Sequence, residues 1–153
     1  REFKDAYALL TFLGDQLDDL SLVAVLRSPF FAVSDRALYK FAVTVEENSS
    51  WWPNLKEAAE LDPHLAATRG LLADLLKERV RHSPEGLLHL AAQRTGYSAV
   101  IANLPHGARR EADWRGTLQF IRSLQRRSFQ RRAVFAARRS VKDGDRPADA
   151  REW

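Results

Sequence analysis

The stretch Leu26-Arg27-Ser28-Pro29-Phe30-Phe31-Ala32-Val33-Ser34-Asp35, with Leu38 beyond it, constrains the fold more than any other part of the chain. It holds a helix end, a stiff loop and a new helix start. Proline has no N–H to donate and disfavours α geometry in the residue before it, so a helix arriving from the N-terminal side stops at Ser28. Ser34 stands one residue before Asp35-Arg36-Ala37-Leu38, the place for an N-cap hydroxyl with an acid in the first turn. The free N–H groups at such a start point outward and suit a phosphate.

Similar punctuation recurs, and the pattern between the breaks is helical almost throughout. Phe3 to Leu13 sets Phe3, Ala6, Tyr7, Leu10 and Leu13 on one face, with Gly14 as the residue that closes the helix. Asp18 or Asp19 caps Leu20 to Leu26, and Ser34 opens a helix to about Val43. Val43-Thr44-Val45 is β-branched but too short and isolated for a sheet. After a polar linker, Glu46 to Ser50, Trp51-Trp52-Pro53 reads as a plug under a loop or a stacking platform, and Asn54 caps Leu55 to Leu61. Asp62-Pro63 opens what reads as the longest helix, with Leu65, Leu72, Leu75, Leu76 and Val80 on its apolar side. Ser83-Pro84 repeats the signal for Glu85 to Thr95, which Gly96 ends. Tyr97 to Leu104 is a short apolar segment closed by Pro105-His106-Gly107.

A helix is then expected from Ala108 to about Arg126, with Ala112, Leu118, Ile121 and Leu124 inward. Ser128 is expected to cap a last helix to about Lys142. The expected fold is all-α, a single domain of roughly eight helices over residues 1–142 with a polar tail over 143–153.

With 153 residues the chain can bury a real core. No apolar run approaches the ~18 residues that cross a membrane, so no membrane partner is expected. The absence of cysteine excludes disulfides and thiolate metal sites and fits a cytoplasmic setting. With no methionine and a start at Arg1, the chain is expected to be a piece of a longer protein whose active site lies elsewhere.

Charge is unevenly spread. Arg109 to Lys142 carries 11 Lys and Arg against 2 Asp and Glu, a net +9; the remainder carries 13 against 18, a net −5, which together make +4. A basic block on an otherwise acidic domain points to a polyanion; the alternative is a solvated helical face.

Catalytic chemistry is not legible. Neither G-x-x-x-x-G-K-[ST] nor G-x-G-x-x-G occurs, so no phosphate-cradling loop of those types is present. His64, His82, His89 and His106 are scattered, and no metal site is expected. Asp15, Asp18 and Asp19 cluster at a turn, where capping explains them. No catalytic residue is assigned.

Three stretches carry a resemblance. Tyr7-Ala8-Leu9-Leu10 and Phe12-Leu13 lead through Asp18-Asp19-Leu20 and Leu22 to Val25-Leu26-Arg27-Ser28-Pro29-Phe30-Phe31. Thr95-Gly96-Tyr97 is followed by Arg109-Arg110, Ala112-Asp113-Trp114 and Leu118. Asp149-Ala150-Arg151-Glu152-Trp153 closes the chain. In this order and spacing they resemble the UvrD/Rep-like superfamily 1 DNA helicases, and most of all the AddA/RecB-type branch.

The resemblance implies the 2B subdomain, a helical insertion in the second RecA-like motor domain of an ATP-dependent helicase of DNA repair and recombination. It places ATP and Mg in the motor domains and no cofactor in this piece. Its implied partners are DNA and the motor domains; a nuclease subunit is a further candidate. The family's duplex-gripping Gly-Ile-Gly hairpin falls at Ala32, Val33 and Ser34, where both glycines are replaced. Ala or Ser resists φ > 0 and holds a phosphate further from the backbone.

The DNA-contact candidates are Arg27, Ser28, Ala32, Val33, Ser34 and Arg36 at the hairpin, and Arg109, Arg110, Arg115, Arg122, Arg126 and Arg127 in the basic block. Arg27 has two uses open to it, a phosphate or the last carbonyls of its own helix. One of Phe30 and Phe31 is expected to anchor the loop in the core, the alternative being a stacking pair for bases. The leading expectation is a non-catalytic accessory domain that contacts duplex or junction phosphates and regulates unwinding. The alternative is a docking module for the partner of a helicase–nuclease complex, which an exposed apolar patch beside the hairpin would favour.

Overall fold

Side-chain caps set four of the helix starts. Asp18 accepts from the Ser21 N–H, Ser34 from Ala37, Asp62 from His64 and Leu65, and Ser83 from Gly86. Each such cap contributes about 1 kcal/mol by satisfying N–H groups that the helix leaves open. The computed structural model describes residues 1–144. Within them the elements are α1 (Glu2–Gly14), α2 (Asp19–Arg27), α3 (Asp35–Ala42), α4 (Trp51–Asn54), a 3-10 segment (Leu55–Glu60), α5 (Pro63–Glu78), α6 (Pro84–Thr95), α7 (Tyr97–Ala102) and α8 (Gly107–Gly144). The described residues are therefore all-α, as expected. The tail over 145–153, with the resemblance at Asp149 to Trp153, lies outside them.

The core joins α1 to α2, α6 and α8, and α7 to α6 and α8, with α5 packed on the 3-10 segment and α6. Leu9, Phe12, Leu22, Leu26, Leu72, Leu75, Leu88 and Ile101 lie at its centre. Trp52 meets Phe12 edge-on and Trp51 meets Phe41 edge-on, so the tryptophan pair is a plug rather than a platform. The Trp51 N–H donates to Asp19 Oδ1 at 3.0 Å, fixing α4 to the start of α2.

Several expectations are corrected. α8 runs unbroken through Ser128, so it, and not the helix at Asp62-Pro63, is the longest. Serine only weakly disfavours a helix interior, and no proline or glycine near 128 stops the helix. α5 ends at Glu78, which leaves Val80 exposed past its last turn. On α1 the buried stripe is Ala6, Ala8, Leu9, Phe12 and Leu13, while Phe3 and Tyr7 face water. Ala112 and Leu124 of α8 are exposed, and Trp114, Thr117, Leu118 and Ile121 turn inward instead.

Gly14 stays inside α1, and extended Asp15 ends it. The α1 carbonyls are taken by side chains, Gln16 on Phe12 and Leu13 and Arg79 on Leu13, so a left-handed glycine is not needed. Asn54 caps nothing; its amide donates back to Ser49 and Ser50.

The hairpin between α2 and α3 is held from within. The Ser28 hydroxyl donates to the Val25 carbonyl at 2.6 Å, the Ala32 N–H to the Ser28 carbonyl at 2.7 Å, and the Val33 N–H to the Leu26 carbonyl at 2.8 Å. From α5, His64 Nε2 donates to the Phe31 carbonyl at 2.6 Å. Ala32 sits at φ +49, so alanine here takes the left-handed geometry it was expected to resist.

Left-handed geometry disfavours an L-residue by roughly 1–2 kcal/mol, against roughly 0.5–1 kcal/mol of extra unfolded-state freedom for glycine. Ala32→Gly is therefore expected to stabilise the chain by about 0.5 kcal/mol, seen as a rise of about 1–2 °C in the thermal midpoint. A fall in the midpoint would contradict this account of the loop.

Candidate nucleic-acid interface

The tip of the hairpin offers few free groups. The Arg27 guanidinium does not turn back to the last carbonyls of its own helix; it pairs with Asp35 across the loop, Nε to Oδ1 at 2.9 Å. Both partners are largely exposed, so the pair contributes under about 1 kcal/mol. Ser28 and Val33 are buried. Ala32, Ser34 and Arg36 are exposed, and the Ser34 hydroxyl is already the cap of α3. Asp35 and Arg27 neutralise each other, which leaves Arg36 as the net positive charge at this tip.

Both phenylalanines of the hairpin are buried, so the base-stacking pair is not available. Phe30 stacks on Tyr97 with ring centroids 4.0 Å apart and meets Trp114 at 5.9 Å; Tyr97 and Trp114 lie 4.7 Å apart. The Tyr97 hydroxyl donates to Asp5 Oδ2 at 3.0 Å. Burial pushes the Asp5 carboxyl above its ordinary range and, with the facing Asp5 charge, pushes the Tyr97 phenol up as well.

The two described stretches that carry the resemblance thus converge on one aromatic knot. Gly96, at φ +70, provides the left-handed turn that delivers Tyr97 into it. Gly107 serves α8 in another way, since a Cβ there would run into the Ala102 carbonyl.

Through Phe30 and Trp114 the hairpin meets the basic helix. Arg110 is committed to structure: Nη1 pairs with Glu2 Oε1 at 2.9 Å and Nε donates to the Pro105 carbonyl at 2.8 Å. Arg109 is exposed beside it, with Asp113 and His106 nearby. Arg115, Arg122 and Arg126 share a face by their spacing of seven and four. Arg122 makes a close pair with Glu85, whose carboxyl it holds below the ordinary range. Arg126 and Arg127 are exposed and make no ion pair among the described residues.

One surface feature was not among the sequence expectations. Phe3 and Tyr7 of α1 and Phe120 and Leu124 of α8 line an apolar groove open to water. The signal was there, since Phe3 and Tyr7 lie four residues apart, but a second stripe on α1 is the one that faces the core. Among the described residues no group of three or more His, Cys, Asp or Glu could hold a metal ion, and no helix is long and apolar enough to cross a membrane.

The described residues define a small helical domain whose last helix is basic, and neither of the two glycine-rich phosphate-loop patterns occurs in the sequence. No family model matches it. Two curated proteins are similar to it, both ATP-dependent helicase/nuclease subunits, from Thermoanaerobacter sp. (strain X514) and Thermoanaerobacter pseudethanolicus (strain ATCC 33223 / 39E). Each is 26% identical over 133 residues, which is 84% of this chain but 11% of the relative. The match is a distant one and supports a relation to the UvrD-like helicases.

Proposed function

We propose that this chain is the 2B-type accessory domain of an ATP-dependent DNA helicase, contacting duplex or fork phosphates and regulating unwinding as it swivels against the motor. The observation that carries the reading is the pairing of extents: 84% of an all-helical chain aligns with 11% of a helicase/nuclease protein. A helical insertion into a much larger motor protein produces that relation. ATP and Mg belong to the motor domains, and this domain supplies charge and shape. Arg115 and Arg126 are the principal phosphate contacts, with Arg36 and Arg109 as further ones and Arg122 shared with Glu85. Ala32 and Ser34 approach the backbone at the hairpin tip.

Such binding is weak, independent of sequence and sensitive to salt. If about three phosphates are neutralised, affinity for a fork duplex falls roughly 40-fold between about 50 and 200 mM salt. Fluorescence anisotropy of the chain against a labelled fork measures this. Arg115→Glu with Arg126→Glu is expected to lower affinity and flatten the salt slope. Salt-independent binding, or none at low salt, contradicts the proposal.

A further inference from the structure

One side of α8 has the character of a seat for another helix. Phe120 and Leu124, one turn apart, join Phe3, Tyr7 and Leu10 of α1 around a groove of about 390 Å3 whose lining is almost wholly carbon. Its walls are preset: Phe3 stacks on Tyr7 at 6.3 Å and meets Phe120 edge-on at 5.9 Å. Yet Phe3, Tyr7, Phe120 and Leu124 are between 45 and 63% exposed. Clustered apolar exposure of this kind marks a contact surface.

Steps of three or four residues along α8 lead from Leu124 to Arg127, Arg131, Phe135 and Arg138, which line one shallow concavity. No acidic residue stands between Asp113 and Asp143. The apolar groove therefore runs on into a stripe where exposed Phe135 lies among three arginines with no ion pair among the described residues. Nine residues make two and a half turns, so Arg122 projects from the opposite side to Arg131. The stripe is thus distinct from the Arg115–Arg122–Arg126 face.

We propose that this stripe docks an amphipathic helix of a partner protein, whose apolar side fills the groove and covers Phe135 while its acidic flank meets Arg127, Arg131 and Arg138. Charge and shape select this occupant. A duplex backbone pairs with the arginines but leaves Tyr7, Phe120 and Leu124 in water. A second copy of this chain, meeting this face with its own through a twofold axis, fills the groove but sets like charge against like. An acidic amphipathic helix satisfies both halves at once. The inference holds whether or not the opposite face binds DNA.

Synthetic amphipathic helices of about 20 residues, long enough to span roughly 30 Å, are suitable probes. One carries a leucine stripe flanked by Glu, the other the same stripe flanked by Lys. The 153-residue chain is expected to bind the Glu-flanked helix roughly tenfold or more tightly than the Lys-flanked one. Arg131→Glu with Arg138→Glu reverses that preference, and Phe120→Ser with Leu124→Ser weakens both. These side chains are exposed, and unchanged circular dichroism checks that the fold is kept.

No preference between the probes, or a preference that the charge reversals leave unmoved, overturns the proposal. So does a DNA duplex that displaces the Glu-flanked helix and is itself lost on charge reversal, which assigns the stripe to nucleic acid. A dimer in sedimentation that Phe120→Ser abolishes overturns it in favour of a second copy. The Arg115→Glu/Arg126→Glu chain tests the DNA face separately and is expected to bind the Glu-flanked helix as before.

Discussion

Tyr97→Ala is expected to destabilise the chain by about 3–5 kcal/mol, a large share of the roughly 5–15 kcal/mol by which a domain is ordinarily stable. Tyr97 has no exposed surface, and its ring holds three separate parts of the chain. Phe30 of the hairpin stacks on one side, Trp114 of α8 tilts against it, and its hydroxyl reaches Asp5 of α1. Truncation removes all of these contacts and leaves a void that neighbouring aromatics in fixed rotamers fill poorly. Chemical denaturation read by tryptophan fluorescence measures the loss, because Trp114 reports from within the knot.

Tyr97→Phe separates packing from hydrogen bonding. It keeps the ring and is expected to cost about 1–2 kcal/mol. The Asp5 carboxyl, already raised by burial, loses a bond that favours its ionised form and is expected to titrate higher still by NMR. A Tyr97→Ala chain as stable as the parent would remove the knot as the anchor of the hairpin.

The second large effect lies at Arg110. Glu2 is 2% exposed, and Arg110 Nη1 reaches its carboxylate at 2.9 Å while Nε binds the Pro105 carbonyl at 2.8 Å. The guanidinium thus ties the start of α1 to the loop that enters α8. Arg110→Ala leaves the buried carboxylate with only the more distant Arg1 amino group, 3.7 Å away, and is expected to cost about 3 kcal/mol. Arg110→Lys restores only part of this, since an ammonium lacks the rigid fork that serves both acceptors. In the Glu2→Gln background the loss from Arg110→Ala shrinks, as the buried charge is gone. Strict additivity in that double-mutant cycle contradicts a coupled pair. Arg110 was expected at a DNA surface from charge alone; a basic run does not show which of its members neutralise acids from distant parts of the chain.

Local chemistry was the most readable part of the sequence. Asp18, Ser34, Asp62 and Ser83 act on N–H groups two or three residues away, so spacing suffices to identify them. Faces were less readable. α1 carries two apolar stripes, and only the positions of α2, α6 and α8 decide which is buried. Ser128 shows the limit of a cap signal, because a serine caps only where the preceding residues leave the helix, and Arg126 and Arg127 do not. Of the candidate site, the shared face of Arg115, Arg122 and Arg126 follows from periodicity alone. The Arg27–Asp35 and Arg122–Glu85 pairs do not, since their partners lie 8 and 37 residues away.

The length of α8 has a mechanical consequence. Its last buried side chain among those described is Ile121, and the helix runs on to Gly144, so roughly 35 Å of it extends past the core at 1.5 Å per residue. It is a lever. A tilt of about 10° at Ile121 carries the far end through about 6 Å, while the aromatic knot near the fulcrum moves by a small fraction of that. Whatever grips the outer arm feels small rotations of the domain as large displacements.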